Sequence, residues 1–108
     1  MLKILRRSAA QDEVMRSEAL IDRELEIKNK LGLHARAAAK LVHCAARYKS
    51  DIKIRKGEEE GDGKSILGIL LLAAGRGAMI TVRANGEDEQ AALEGIQKLI
   101  DAKFDEVE

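Results

Sequence analysis

The sequence has no tryptophan, one tyrosine and one phenylalanine, so aromatic residues make up 2% of its 108 positions. Any core must therefore be aliphatic, built from Leu, Ile, Val and Ala. The same shortage removes the stacking platforms that RNA and single-strand binders use. Neither charge is in excess: 19 basic residues balance 19 acidic ones. Grip on a phosphate backbone needs a basic excess or stripe, which argues against nucleic acid as a main partner. Cys44 is the only cysteine. That excludes an intrachain disulfide and leaves any metal site without its usual Cys partners, so no metal ion or cofactor is expected. The longest apolar run, residues 66–75, falls well short of the roughly 20 residues that span a bilayer. Residues 1–10 carry basic side chains, but no apolar stretch follows them as in a signal peptide. A soluble, reducing, cytoplasmic setting without membrane insertion is the expectation.

What is present is 45% apolar and 35% charged, enough for one compact domain with a modest core. Residues 1–22 lack Gly and Pro and read as an N-terminal extension, helical or disordered. Residues 23–108 read as the folded domain. Positions 24–30 alternate around Leu25 and Ile27, the mark of a half-buried strand, and positions 29–32 form a turn. A helix follows over 35–48, its inward stripe made by Ala38, Leu41, Val42 and Ala45 at i, i+3, i+4 and i+7. Positions 51–56 give a second strand with Ile52 and Ile54 inward. Gly57 makes a hairpin turn into an edge strand at 58–62, carried by its neighbours rather than by propensity. A short apolar helix is predicted over 65–74 with Ser65 as its N-cap. A strand follows over 78–84, then a last helix over 88–104 with Ala92, Leu93, Ile96, Leu99 and Ile100 inward. Four antiparallel strands with the helices on one face satisfy every one of these patterns.

The sharpest local feature is Gly32-Leu33-His34-Ala35-Arg36, which sets a histidine where the first long helix begins. The first turn of a helix has backbone N–H groups without intrahelical partners, and the helix dipole adds positive charge there. An anion is stabilised at such a point, and Arg36 adds a positive fork that suits a phosphate. Neutral imidazole is a competent nucleophile. These parts describe a histidine able to take up a phosphoryl group and hold it as a labile phosphoramidate. The pattern alone fits a capping or surface histidine as well.

Three motifs in order resemble the HPr family, the histidine-containing phosphocarriers of the bacterial phosphoenolpyruvate-dependent phosphotransferase system. They are Leu31-Gly32-Leu33-His34-Ala35-Arg36 before an alanine-rich helix, Gly63-Lys64-Ser65-Ile66-Leu67-Gly68, and Gly75-Arg76-Gly77 before a strand. The likeness covers about residues 23–104. It implies an α+β open-faced sandwich of βαββαβα order, a four-stranded antiparallel sheet with three helices on one face. It also implies a covalent carrier rather than a stand-alone enzyme. By the same resemblance His34 matches the histidine phosphorylated on Nδ1, and Ala35 and Arg36 match the phosphate-binding positions. Ser65 matches a regulatory serine phosphorylated in some bacteria by HPr kinase/phosphorylase. Ile66, Leu67 and Leu70 match the apolar patch that docks on enzyme I and on enzyme IIA-type acceptors. A variant in the nitrogen-related branch, acting through its phosphorylation state on partner proteins, would share His34 and Arg36.

Two departures stand inside the motifs. The family usually has proline after the arginine; here Ala37 keeps a good helix former and restores one N–H. Leu31 stands where the family often has a polar side chain near the phosphate. His43 and Cys44 are adjacent on a helix and point about 100° apart, a poor geometry for a shared metal.

Overall fold

The structure is a computed structural model and describes residues 20–107. Its elements are β1 Leu20–Glu26, α1 Ala35–Ala46, β2 Asp51–Lys56, β3 Glu59–Asp62, α2 Ile66–Leu70, β4 Met79–Asn85 and α3 Glu89–Asp101. A single 3-10 turn, Lys103–Asp105, follows α3. The four strands form one antiparallel sheet in the order β1-β4-β2-β3. The three helices cover one face, and the core between the layers is aliphatic apart from Phe104 and Cys44, with Tyr48 packed at its edge. Among the described residues, no helix is long and apolar enough to cross a membrane.

Period-two patterning explains the sheet. Leu25 pairs with Ile80 and Ile54 with Val82, and all four side chains are buried toward the helices. On the open face, Asp22, Arg83, Lys53 and Asp62 lie in one row across the strands, and Arg83 grips Asp22 through two hydrogen bonds. The first strand starts at Leu20 rather than at position 24, and it ends at Glu26 rather than at position 30. Arg23, an inward position, hides this start from a hydropathy pattern: its guanidinium reaches Gln97 of α3 at 2.8 Å instead of entering the core. Of the proposed extension 1–22, positions 20–22 are thus strand, and the rest lies outside the described residues.

Each helix is shorter than its apolar pattern. In α1, Ala38, Leu41 and Ala45 are buried as expected, joined by Ala37 and Cys44, and the helix closes at Arg47. The expected helix over 65–74 ends at Leu70, because Ala73 takes a left-handed φ of 50° that no helix continues through. The freed segment drops Leu72 and Ala74 into the core. It also presents the Ala74 carbonyl to the Leu33 amide at 2.8 Å. The last helix ends at Asp101 rather than at 104, where three successive residues turn left-handed and carry Phe104 into full burial.

Candidate functional site

His34 is itself the N-cap of α1. Its backbone is extended (φ −75°, ψ 179°), and its ring Nδ1 accepts from the Arg36 amide at 3.3 Å. That is the role an Asn, Asp or Ser oxygen usually fills, satisfying one of the orphan donors of the first turn. The loop before it is held from two sides. Gly32, with φ 67°, closes the turn onto the Asn29 carbonyl, and Leu33 is pinned to Ala74. The ring is therefore placed by the junction of two loops with a helix start, and it keeps 27% of its side-chain surface open.

The opposite ring nitrogen meets a carboxylate. His34 Nε2 lies 2.7 Å from Glu106 Oε2. The other oxygen of Glu106 accepts from Asn29 Nδ2 at 3.0 Å, and the same Nδ2 donates to the Gly32 carbonyl at 2.8 Å. Asn29 is fully buried, so its amide is a fixed donor to both the turn and the tail. Hydrogen bonds from Asn29 and then from His34 hold the Glu106 carboxyl below its ordinary range against the opposing effect of burial, with the Lys40 charge helping.

A pocket of about 630 Å³ opens over this ring, lined by Lys30, Leu31, His34, Ala35, Arg36, Glu106 and Val107. His34, Ala35 and Arg36 are thus brought together, with the Arg36 side chain exposed to solvent. Leu31 forms an exposed apolar wall. An anion held here would face the amides of the first turn, their dipole and one guanidinium. Among the described residues, no group of His, Cys, Asp and Glu could hold a metal ion.

Ser65, Ile66, Leu67 and Leu70 are not part of that lining. They form and flank α2, where the Ser65 hydroxyl accepts from the Gly68 amide at 3.1 Å as the expected N-cap. Leu67 is 66% exposed and Ile66 is also open, but Leu70 is half-buried against the core. Leu71, at 68% exposed, is a further apolar surface residue beside them, outside the expected docking set. Sequence reasoning also missed Glu106 and Asn29. A carboxylate 72 positions from its histidine leaves no local spacing to read; the one hint is Phe104, an aromatic anchor just before the tail.

A family model described as "PTS HPr component phosphorylation site" matches residues 21–102. Phosphocarrier protein NPr of Shewanella violacea is 48% identical over 80% of this chain and 94% of its own length. Phosphocarrier protein HPr of Pseudomonas aeruginosa is 46% identical over 79% of this chain and 96% of its own. Among solved structures, HPr-C-His from Thermoanaerobacter tengcongensis superposes with a TM-score of 0.77 at 40% identity, covering 80% of this chain and 97% of that one.

Proposed function

The chain belongs to the HPr family of phosphotransferase-system phosphocarriers, and on that premise we propose that His34 is the residue that carries the phosphoryl group. The observation that carries this reading is the helix cap, in which Nδ1 points at the first turn of α1, 3.3 Å from the Arg36 amide. A phosphoryl group on Nδ1 lies where the backbone donors, the dipole and Arg36 all favour negative charge.

The donor is the phosphohistidine of enzyme I, and the acceptor is a histidine of an enzyme IIA-type protein. In the first transfer the Nδ1 lone pair of His34 attacks phosphorus. The donor's N–P bond breaks, and its electron pair returns to the donor ring. The second transfer reverses these roles. Donor and acceptor are alike, so the exchange is close to isoenergetic, and alignment with charge stabilisation suffices. Arg36 steadies the three oxygens in flight. Leu67 and Ile66, with Leu70 at their base, form the docking surface, and Ser65 at its margin is a regulatory phosphorylation site. The cytoplasm is the setting in which these partners are met.

The 48% identity to a phosphocarrier named NPr favours a second form of this reading, in which the acceptors belong to the nitrogen-related branch and the phosphorylation state acts on regulatory partners. Incubation with phosphoenolpyruvate and enzyme I should yield an acid-labile, base-stable phosphate on the wild-type chain and none on His34→Ala. Equal labelling of the two chains would remove His34 from the role. Parallel assays with sugar-branch and nitrogen-branch acceptors separate the two forms by rate.

A further inference from the structure

After α3 the chain does not run off into solvent. Lys103, Phe104 and Asp105 adopt left-handed φ values of 57°, 56° and 61°, and none of them is glycine. Such a run is disfavoured by Cβ sterics and persists only where its surroundings impose it. Three features impose it here. Phe104 is fully buried, its carbonyl accepts from the Lys40 ammonium at 2.6 Å, and the Glu106 amide closes the turn on Lys103 at 3.0 Å. The result is that Glu106, 13% exposed in its side chain, is aimed at His34.

The two nitrogens of His34 face partners of opposite and fixed character. A backbone amide only donates, so Nδ1 must present its lone pair to Arg36. An ionised carboxylate only accepts, so Nε2 must carry the proton toward Glu106. Both contacts select the same neutral tautomer, with the proton on Nε2 and the nucleophilic pair on Nδ1. The hydrogen bonds that keep Glu106 ionised act in the same sense.

We propose that Glu106 is a positioning residue of the transfer reaction: delivered by the left-handed turn, it fixes His34 in the Nε2–H tautomer and keeps that proton in place while Nδ1 gains and loses phosphoryl. This rests on the reading of His34 as the carrier. The balance needs no proton movement at all. Nδ1 uses its pair to form the N–P bond, Nε2 keeps its hydrogen, and the positive charge that the ring then bears faces the Glu106 carboxylate. When the group leaves for the acceptor, the pair returns to Nδ1.

The shape-conserving variant gives the most discriminating test. Asn29 Nδ2 is anchored by the Gly32 carbonyl, so in Glu106→Gln the amide oxygen takes the Asn29 bond and the NH₂ turns to Nε2. A donor there demands a lone pair on Nε2, which moves the proton to Nδ1 and blocks the nucleophile. Glu106→Ala only releases the ring. Ring ¹⁵N shifts of the full-length protein, read without phosphate at a pH where His34 is neutral, should show Nδ1 without hydrogen in wild type. They should show a mixture in Glu106→Ala and the reversed tautomer in Glu106→Gln. Transfer from phosphorylated enzyme I should slow about tenfold in Glu106→Ala, and further in Glu106→Gln. A carboxylate that merely braces the tail predicts the opposite order, since Gln conserves volume. Wild type with hydrogen on Nδ1, or Glu106→Gln with wild-type shifts or rate, overturns the proposal. Failure of wild type to take up phosphate would instead strike the carrier reading, while the ring shifts judge the orienting role separately.

Discussion

Asp88 clamps Ser50. Its Oδ1 accepts from the Ser50 amide at 2.9 Å and from the Ser50 hydroxyl, and its Oδ2 accepts from the Lys49 amide at 2.8 Å. The start of α3 is thereby tied to the junction of α1 and β2, and Ser50 is buried with its donors satisfied. These bonds, the Ser50 hydroxyl first and the Lys49 amide next, hold the Asp88 carboxyl below its ordinary value of about 3.8.

A pH dependence follows, and its sign is fixed by linkage. A carboxyl whose folded value is depressed binds fewer protons folded than unfolded, so its stabilisation is full above about 3.8 and is lost as pH falls through the folded value. Urea melts of wild type and Asp88→Asn should differ most near neutral pH and converge in acid. A gap that is constant with pH would mean that the ionised form is not what holds the clamp.

Gly32 has no room for a side chain. A Cβ there would stand 2.5 Å from the Ala74 carbonyl oxygen and 2.7 Å from Gly75 Cα, at a φ of 67°. Gly32→Ala is expected to lose about 3 kcal/mol of stability, and to slow phosphoryl transfer because Leu33 and His34 follow directly. Thermal melts and transfer kinetics check the two effects together.

Arg36 is exposed at the first turn of α1. Arg36→Ala should leave the melting temperature unchanged while phosphoryl transfer falls at least about tenfold, as expected for loss of one charged group facing the transferring phosphate. Arg36→Lys should recover only part of the rate, because a point charge lacks the planar fork.

Ser65 has a structural duty and a proposed regulatory one, and substitutions split them. Ser65→Ala removes the hydroxyl that accepts from Gly68, with an expected loss of about 1 kcal/mol. Ser65→Asp caps nearly as well, so its stability should stay close to wild type. Its transfer to partners should nevertheless fall, because new charge meets the apolar surface beside it.

Leu67 and Leu70 are three positions apart yet differ in surroundings. Leu67→Asp should shift stability by less than about 0.5 kcal/mol, as surface changes do, and should weaken binding to enzyme I in titration calorimetry. Leu70→Asp presses charge against the core and should destabilise the fold. Equal binding by wild type and Leu67→Asp would remove α2 from the docking surface.

Local chemistry made much of this molecule legible in its sequence. The Leu41–Ala45 stripe, the Ser65 cap and the Ile52/Ile54 alternation each depend on a few neighbouring residues, and each lies in the structure where the pattern puts it. The misses share a different cause. Arg23 occupies an inward strand position because Gln97, distant in sequence, receives its head group. Ala73 breaks an apolar helix so that Ala74 can meet Leu33. Lys103–Asp105 turn left-handed, against the preference of every residue in the run, because Phe104 finds burial and Lys40 finds a carbonyl. The place of His34 at a helix start was readable from its immediate neighbours. What orients its ring was not, since that contact is made by the far end of the chain.

Tyr48 has a practical consequence of its own. It is the chain's one tyrosine, and there is no tryptophan. Its ring lines the groove between α1 and α3, and its hydroxyl sits over Gly95, where any side chain would collide with it. With excitation beyond the absorption of Phe104, the intrinsic ultraviolet emission of the whole protein therefore originates at a single seam. Parting of the two helices alters the anisotropy and quenching of that one fluorophore, so the molecule carries an unlabelled optical gauge of its helix layer.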